Sequence, residues 1–102
     1  MSRFINSKSI YVETVTIALA GTAQQATSVP VPDGVTVDYM AHPDNTGYIK
    51  IADTAAKAQD SYGVGNVPIG SSQAVTYQIS DPSIPYIDAT VSGERAIVTM
   101  EY

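Results

Sequence analysis

The chain has 102 residues, no cysteine, and ten acidic against five basic side chains, for a formal net charge of −5. One domain is the expectation at this length. Disulfides and thiolate metal sites are excluded, an acidic chain argues against a broad nucleic-acid-binding surface, and no run approaches the roughly 18 consecutive apolar residues of a membrane span.

Residues 1–9 are polar and irregular apart from Phe4 and Ile5. They read as an N-terminal arm that orders only against a partner. Arg3 and Lys8 are the only charges in the first twelve residues, and every acid lies beyond them. A basic arm on an acidic body is one reading, and a chance placement of two charges is the other. The start carries no long apolar stretch behind its base, so no signal peptide is visible and synthesis in the cytosol is expected. Residues 10–102 then form a single β domain.

The dominant signal along that domain is period two, punctuated by Gly, Pro, Asn and Asp. Residues 10–19 are rich in Ile, Val, Thr and Tyr, with Tyr11, Val15, Ile17 and Leu19 on one face. Glu13 interrupts that face, which suits a strand at a sheet edge. Ala20-Gly21-Thr22 reads as a turn. Residues 26–31 form a short second strand, placed at an edge or a strand end because Pro30 and Pro32 cannot donate to a ladder. Asp33-Gly34 is a tight turn.

Residues 35–41 give the cleanest alternation: Val35, Val37, Tyr39 and Ala41 face one way, and Thr36, Asp38 and Met40 the other. The breakers of residues 42–47 form a turn, and residues 48–52 are expected to pair back as a hairpin. Residues 53–61 are the only helix candidate, with Asp53 as its cap, but they lack an apolar stripe, so a single turn or loop is expected. Residues 61–72 hold three glycines and one proline and read as a long exposed loop. Residues 73–79 alternate, with Val75, Tyr77 and Ile79 inward, and Asp81-Pro82-Ser83 turns the chain. Residues 84–91 place Ile87, Ala89 and Val91 on one face. Ser92-Gly93-Glu94 stands at hairpin spacing before residues 96–102, where Ala96, Val98, Met100 and Tyr102 share a side. About seven short strands with turns between them argue for an antiparallel β-sandwich or a small jelly-roll-like barrel.

Catalytic sets are hard to assemble from these residues. One histidine and no cysteine remove most nucleophile–base pairs. His42 precedes a proline in a turn, and the aspartates mostly flank turns, where they bond to their own backbone. Asp44-Asn45-Thr46-Gly47 matches a fragment of a calcium loop without the remaining oxygens and the distant glutamate. Gly63-Val64-Gly65 lacks the strand–helix context of a nucleotide-binding turn. No enzyme activity, cofactor or metal is therefore expected.

The seven tyrosines are more informative. Tyr39 and Tyr77 belong to apolar strand faces. Tyr48, Tyr62, Tyr86 and Tyr102 lie near turns, loops or the terminus, where a large ring with one hydroxyl suits an interface as well as an ordinary rim. With Arg3, Phe4, Ile5 and Lys8 of the arm, they are the candidate interface residues.

Three stretches carry a family resemblance: Val29-Pro30-Val31-Pro32-Asp33-Gly34-Val35 through Ala41-His42-Pro43-Asp44-Asn45-Thr46-Gly47-Tyr48-Ile49-Lys50-Ile51; Val67-Pro68-Ile69-Gly70 to Tyr77; and Ile84-Pro85-Tyr86-Ile87-Asp88-Ala89-Thr90-Val91-Ser92-Gly93-Glu94. In this order they resemble small structural proteins of tailed-bacteriophage virions, with capsid cement or decoration proteins the nearest role. The resemblance covers roughly residues 29–102, and its motifs are structural turns. Residues 53–61 depart from it in their alanine content. It implies a virion component on the capsid surface, made in the host bacterial cytoplasm, whose partners are the major capsid protein and further copies of itself as a homotrimer or homodimer. A receptor- or glycan-binding module of a tail or fibre is the alternative, with Tyr62 and Asn66 as contacts.

Overall fold

The computed structural model describes residues 10–26, 35–79 and 85–101. The expected arm of residues 1–9, the Asp33-Gly34 and Asp81-Pro82-Ser83 turns, Pro30, Pro32 and Tyr102 lie outside them. Among the described residues, eight strands and one short helix run in the order β1 (Ile10–Ile17), β2 (Gln24–Gln25), β3 (Val35–Ala41), β4 (Ile49–Ala52), α1 (Ala55–Gln59), β5 (Val67–Ile69), β6 (Ala74–Ile79), β7 (Tyr86–Ala89) and β8 (Glu94–Glu101).

The strands form two four-stranded antiparallel sheets, ordered β1-β8-β3-β6 and β2-β7-β4-β5. Pairing is nested from the ends of the chain inward: β1 with β8, β2 with β7, β3 with β6 and β4 with β5. The chain is thus one long hairpin with its tip between β4 and β5, rolled up so that β8 also meets β3 and β7 also meets β4. This is the winding of an eight-stranded jelly roll. Every connection except β4 to β5 crosses from one sheet to the other. That corrects two local expectations. Residues 35–41 and 48–52 do not form a hairpin, because β3 and β4 belong to different sheets. The Ser92-Gly93-Glu94 turn likewise joins β7 and β8 across the sandwich.

Alternation decides what fills the core. Val15 and Ile17 of β1, Val37 and Tyr39 of β3, and Val98 and Met100 of β8 project from the first sheet onto Ile49 and Ile51 of β4 and Ile87 and Ala89 of β7. Tyr11, Val75 and Tyr77 pack against this cluster while partly exposed. Leu19 and Val91, expected on inward faces, lie beyond the strand ends and are exposed. Glu13 stands opposite Val98 on an edge strand, as its interruption of the apolar face suggested.

The second sheet is covered on its outer face as well. α1 packs on β4 and β7, so all four residues of β4 are buried. Thr54, not Asp53, caps the helix, its hydroxyl accepting from the Lys57 N–H at 3.2 Å. Asp53 instead pairs with Lys57 one turn on, at 3.2 Å. Ala58 is fully buried beneath the helix, and an alanine-rich helix lies close to a sheet without needing a long apolar stripe. The expected loop of residues 61–72 contains β5, and its first part is pinned rather than loose. The buried Asn66 amide donates to the carbonyls of Lys57, Ser61 and Val64, and its oxygen accepts from Gly63 N–H at 3.0 Å. Gly63 holds φ +77°, a conformation that costs a residue without a Cβ little.

Candidate interaction surfaces

Two surfaces and two polar clusters stand out once the sheets are placed. The first surface is the outer face of the first sheet. Its strands run uncovered by any described element, and their outward residues form rows across the sheet. Thr14, Ile97, Met40 and Ala74 make one row, and Val12, Thr99, Asp38 and Thr76 the next. Ile10 and Val12 are 67% and 59% exposed. Asp38 accepts from the Thr76 hydroxyl, and Arg95 at the end of the face reaches Asp44 at 3.3 Å. Ile, Val, Thr, Met and Ala fill most of the described outward positions, with Asp38 and Arg95 the charged side chains among them.

The second surface centres on Tyr48 and Tyr62. Their rings meet edge to face, with centroids 4.9 Å apart and planes at 77°. Both are well exposed, as is Val64 nearby in sequence. Gly70 makes room for the pair, since a Cβ there would stand 3.3 Å from the Tyr48 ring. Tyr86 does not join them. It is half-buried on β7, in register with Gln25 and Ala52. Arg3, Phe4, Ile5, Lys8 and Tyr102 lie outside the described residues.

The polar clusters are structural in their bonding. At the corner linking β3 to β4, Asn45 exchanges side-chain hydrogen bonds with the backbone of Arg95, at 2.7 and 3.0 Å. The buried Glu94 carboxylate accepts from the N–H groups of Thr46 and Gly47 and from the Thr46 hydroxyl. A Cβ at Gly47 would fall 2.3 Å from the Thr90 hydroxyl oxygen, so only glycine permits this approach. The Asp44-Asn45-Thr46-Gly47 motif therefore clasps the β7–β8 corner. His42 accepts from the Asp44 N–H at 3.1 Å through Nδ1.

The other cluster lies under α1. Lys50 and Asp88 sit directly opposite on β4 and β7, both buried, with Nζ 3.9 Å from Oδ2. Lys50 also donates to the Asp60 carbonyl at 2.7 Å, and Asp88 Oδ1 accepts from Gly21 and Ala89 N–H groups. The pair ties the β1–β2 turn, the sheet and the end of the helix together. Asn66, the expected glycan contact, is buried and engaged within its own loop. In the core, burial pushes the Tyr39 phenol well above its ordinary range, with neighbouring Tyr77 adding to the shift.

Sequence reading missed the Lys50–Asp88 pair and the bare sheet face for different reasons. Nothing local marks a lysine as buried beneath a helix. The face did leave a trace: the positions alternating with the core set in β1 are Ile10, Val12, Thr14 and Thr16, with no Lys or Glu among them. Comparison with protein families, with curated proteins and with solved structures finds no match.

Proposed function

We propose that this chain is a virion structural protein of the capsid cement or decoration type, which binds a shell of major capsid protein and stabilises it without catalysis. The observation that carries this reading is the outer face of the first sheet, with its Thr14–Ile97–Met40–Ala74 and Val12–Thr99–Asp38–Thr76 rows. Such a face gains by exclusion of water against a second flat protein surface. A lattice of identical sites turns many weak contacts into firm retention. Asn45, Glu94 and Asn66 are engaged in holding the fold, and the buried Lys50 and Asp88 pair with each other, which suits a structural role. The eight-stranded jelly roll is an architecture used by virion and lectin domains alike.

The test is sedimentation of the purified protein with shells assembled from a tailed-phage major capsid protein. Co-pelleting is expected for the unaltered chain, and Thr14→Lys with Ile97→Glu should abolish it while leaving the β circular-dichroism spectrum unchanged. Failure of the unaltered chain to pellet, or retention of the folded double variant on the shell, would count against the proposal. The alternative, a glycan-binding module of a tail or fibre, draws its support from the exposed Tyr48–Tyr62 pair, since aromatic faces stack on sugar rings. Binding to a glycan array that disappears in Tyr62→Ala would favour it.

A further inference from the structure

The two sheets have four edges, and three of them are protected against pairing. β2 has two residues and β5 three, including Pro68. β1 turns the charged Glu13 toward the interior side, where its carboxylate accepts from the Tyr11 hydroxyl at 3.0 Å. Short edges, proline and inward charge are the ordinary devices by which sheets avoid adding strands. β6 has none of them. Its six residues, Ala-Val-Thr-Tyr-Gln-Ile, contain no charge, no proline and no glycine, and it ends the first sheet.

No described residue pairs with the outer edge of β6, whose backbone presents a regular open ladder there. Ala41 N–H donates to the Gln73 carbonyl at 2.9 Å, whereas His42 N–H turns the other way, to the Arg95 carbonyl of β8 at 3.1 Å. Alternation along antiparallel strands then directs the N–H and C=O of Val75, Tyr77 and Ile79 to β3, and those of Ala74, Thr76 and Gln78 to the open edge.

We infer that β6 is a homodimer interface, pairing antiparallel with β6 of a second copy about a two-fold axis at Thr76. A second copy presents the same open ladder in the register needed, and a two-fold axis makes the pairing antiparallel by construction. With Thr76 opposite Thr76, Ala74 falls opposite Gln78, and every outward N–H and C=O of the strand finds a partner, for about six hydrogen bonds. A shift that centres Tyr77 instead leaves the Ala74 groups without a partner in the strand. The same register places Val75 beside the other copy's Tyr77, an aromatic and β-branched pair twice over, and Thr against Thr on the outer face. Val75 and Tyr77 are partly exposed in the single chain, and this pairing covers them. No like charges meet. The result is one continuous eight-stranded sheet with two bare outer faces side by side, and it stands whether or not those faces bind a capsid shell.

Size-exclusion chromatography with light scattering over a concentration series tests the pairing, using the whole chain. The unaltered protein is expected to reach twice the chain mass, and amide exchange at Ala74, Thr76 and Gln78 should slow as the dimer fills. Thr76→Pro deletes an N–H that points away from β3, so the single chain keeps its ladder and its β spectrum while the dimer is lost. Thr76→Lys sets two like charges face to face and decides the matter should the proline variant fail to fold. A mass of one chain, or of an odd number of chains, for the unaltered protein overturns the inference. So does a folded variant that keeps the unaltered mass.

Discussion

The outer faces of the two sheets have been treated in opposite ways. The second sheet carries α1 and the pinned loop behind it, and beneath them a lysine and an aspartate are held out of water. The first sheet carries nothing among the described residues, and most of its outward positions are Ile, Val, Thr, Met and Ala, with Asp38 and Arg95 as charges among them. One face is closed by the chain itself, at the expense of desolvating two ions; the other is left open by the described residues. Residues of the first kind should fail in stability, and residues of the second kind in binding alone.

The sharpest way to break that contrast is at Asp88. Asp88→Ala leaves Lys50 charged and buried without its partner, and should cost about 3–5 kcal/mol in urea unfolding, enough to unfold many small domains. Lys50→Met combined with Asp88→Leu removes both charges and should recover most of that loss. A double variant as unstable as the single one would show that backbone bonds to Asp88, and not its charge pairing, hold the covered face.

At the corner, Glu94→Ala deprives Thr46 and Gly47 N–H of their acceptor. The expected loss is about 2–3 kcal/mol by the same denaturation. Both sheets meet at this corner, so binding and stability should fall together, unlike the effects of changes on either face.

Smaller still is the effect at Tyr39, whose hydroxyl is buried with no hydrogen-bond partner among the described residues. Tyr39→Phe should be neutral or slightly stabilising at neutral pH, by up to about 1 kcal/mol, because a polar group is no longer stranded. The folded protein holds the phenol's proton more tightly than the unfolded chain does. Its contribution is therefore whole below the ordinary tyrosine range near pH 10 and is lost as pH rises above it. Thermal melts above pH 10 should show that extra loss in the unaltered protein and not in Tyr39→Phe.

Least affected in stability is the bare face. Thr14→Lys should shift unfolding by no more than about 0.5 kcal/mol, yet under the proposed function it impairs capture by the shell. A large stability loss there would mean that the face is already covered within the chain.

Much of this architecture was legible before any coordinates. Strand content, the inward residues of β3 and β8, the turns after Ala41 and at Gly93, and the edge position of β1 all follow from short-range alternation and turn chemistry. Tyr48 and Tyr62 were marked as candidate contacts one by one, and folding brought their rings together. Missing were the helix cap at Thr54, the β5 strand inside a glycine-rich stretch, and the ion pair beneath α1. Each depends on a neighbour distant along the chain: Asn66 closes the loop onto Lys57, and Asp88 reaches β4 from some forty positions away.

By itself, the order of residues determined which segments are extended and which side of each turns inward, because side chains alternate in a strand whatever lies beside it. Only the tertiary structure decided which strand lies beside which. Ile10–Ile17 pairs with Glu94–Glu101 at the opposite end of the chain, and Val35–Ala41 rejects its nearest neighbour for a strand in the other direction. Alternation is blind to the identity of the partner, since a backbone ladder reads the same from any strand of suitable register. The choice falls instead to the roll that lets both apolar faces close on one shared layer.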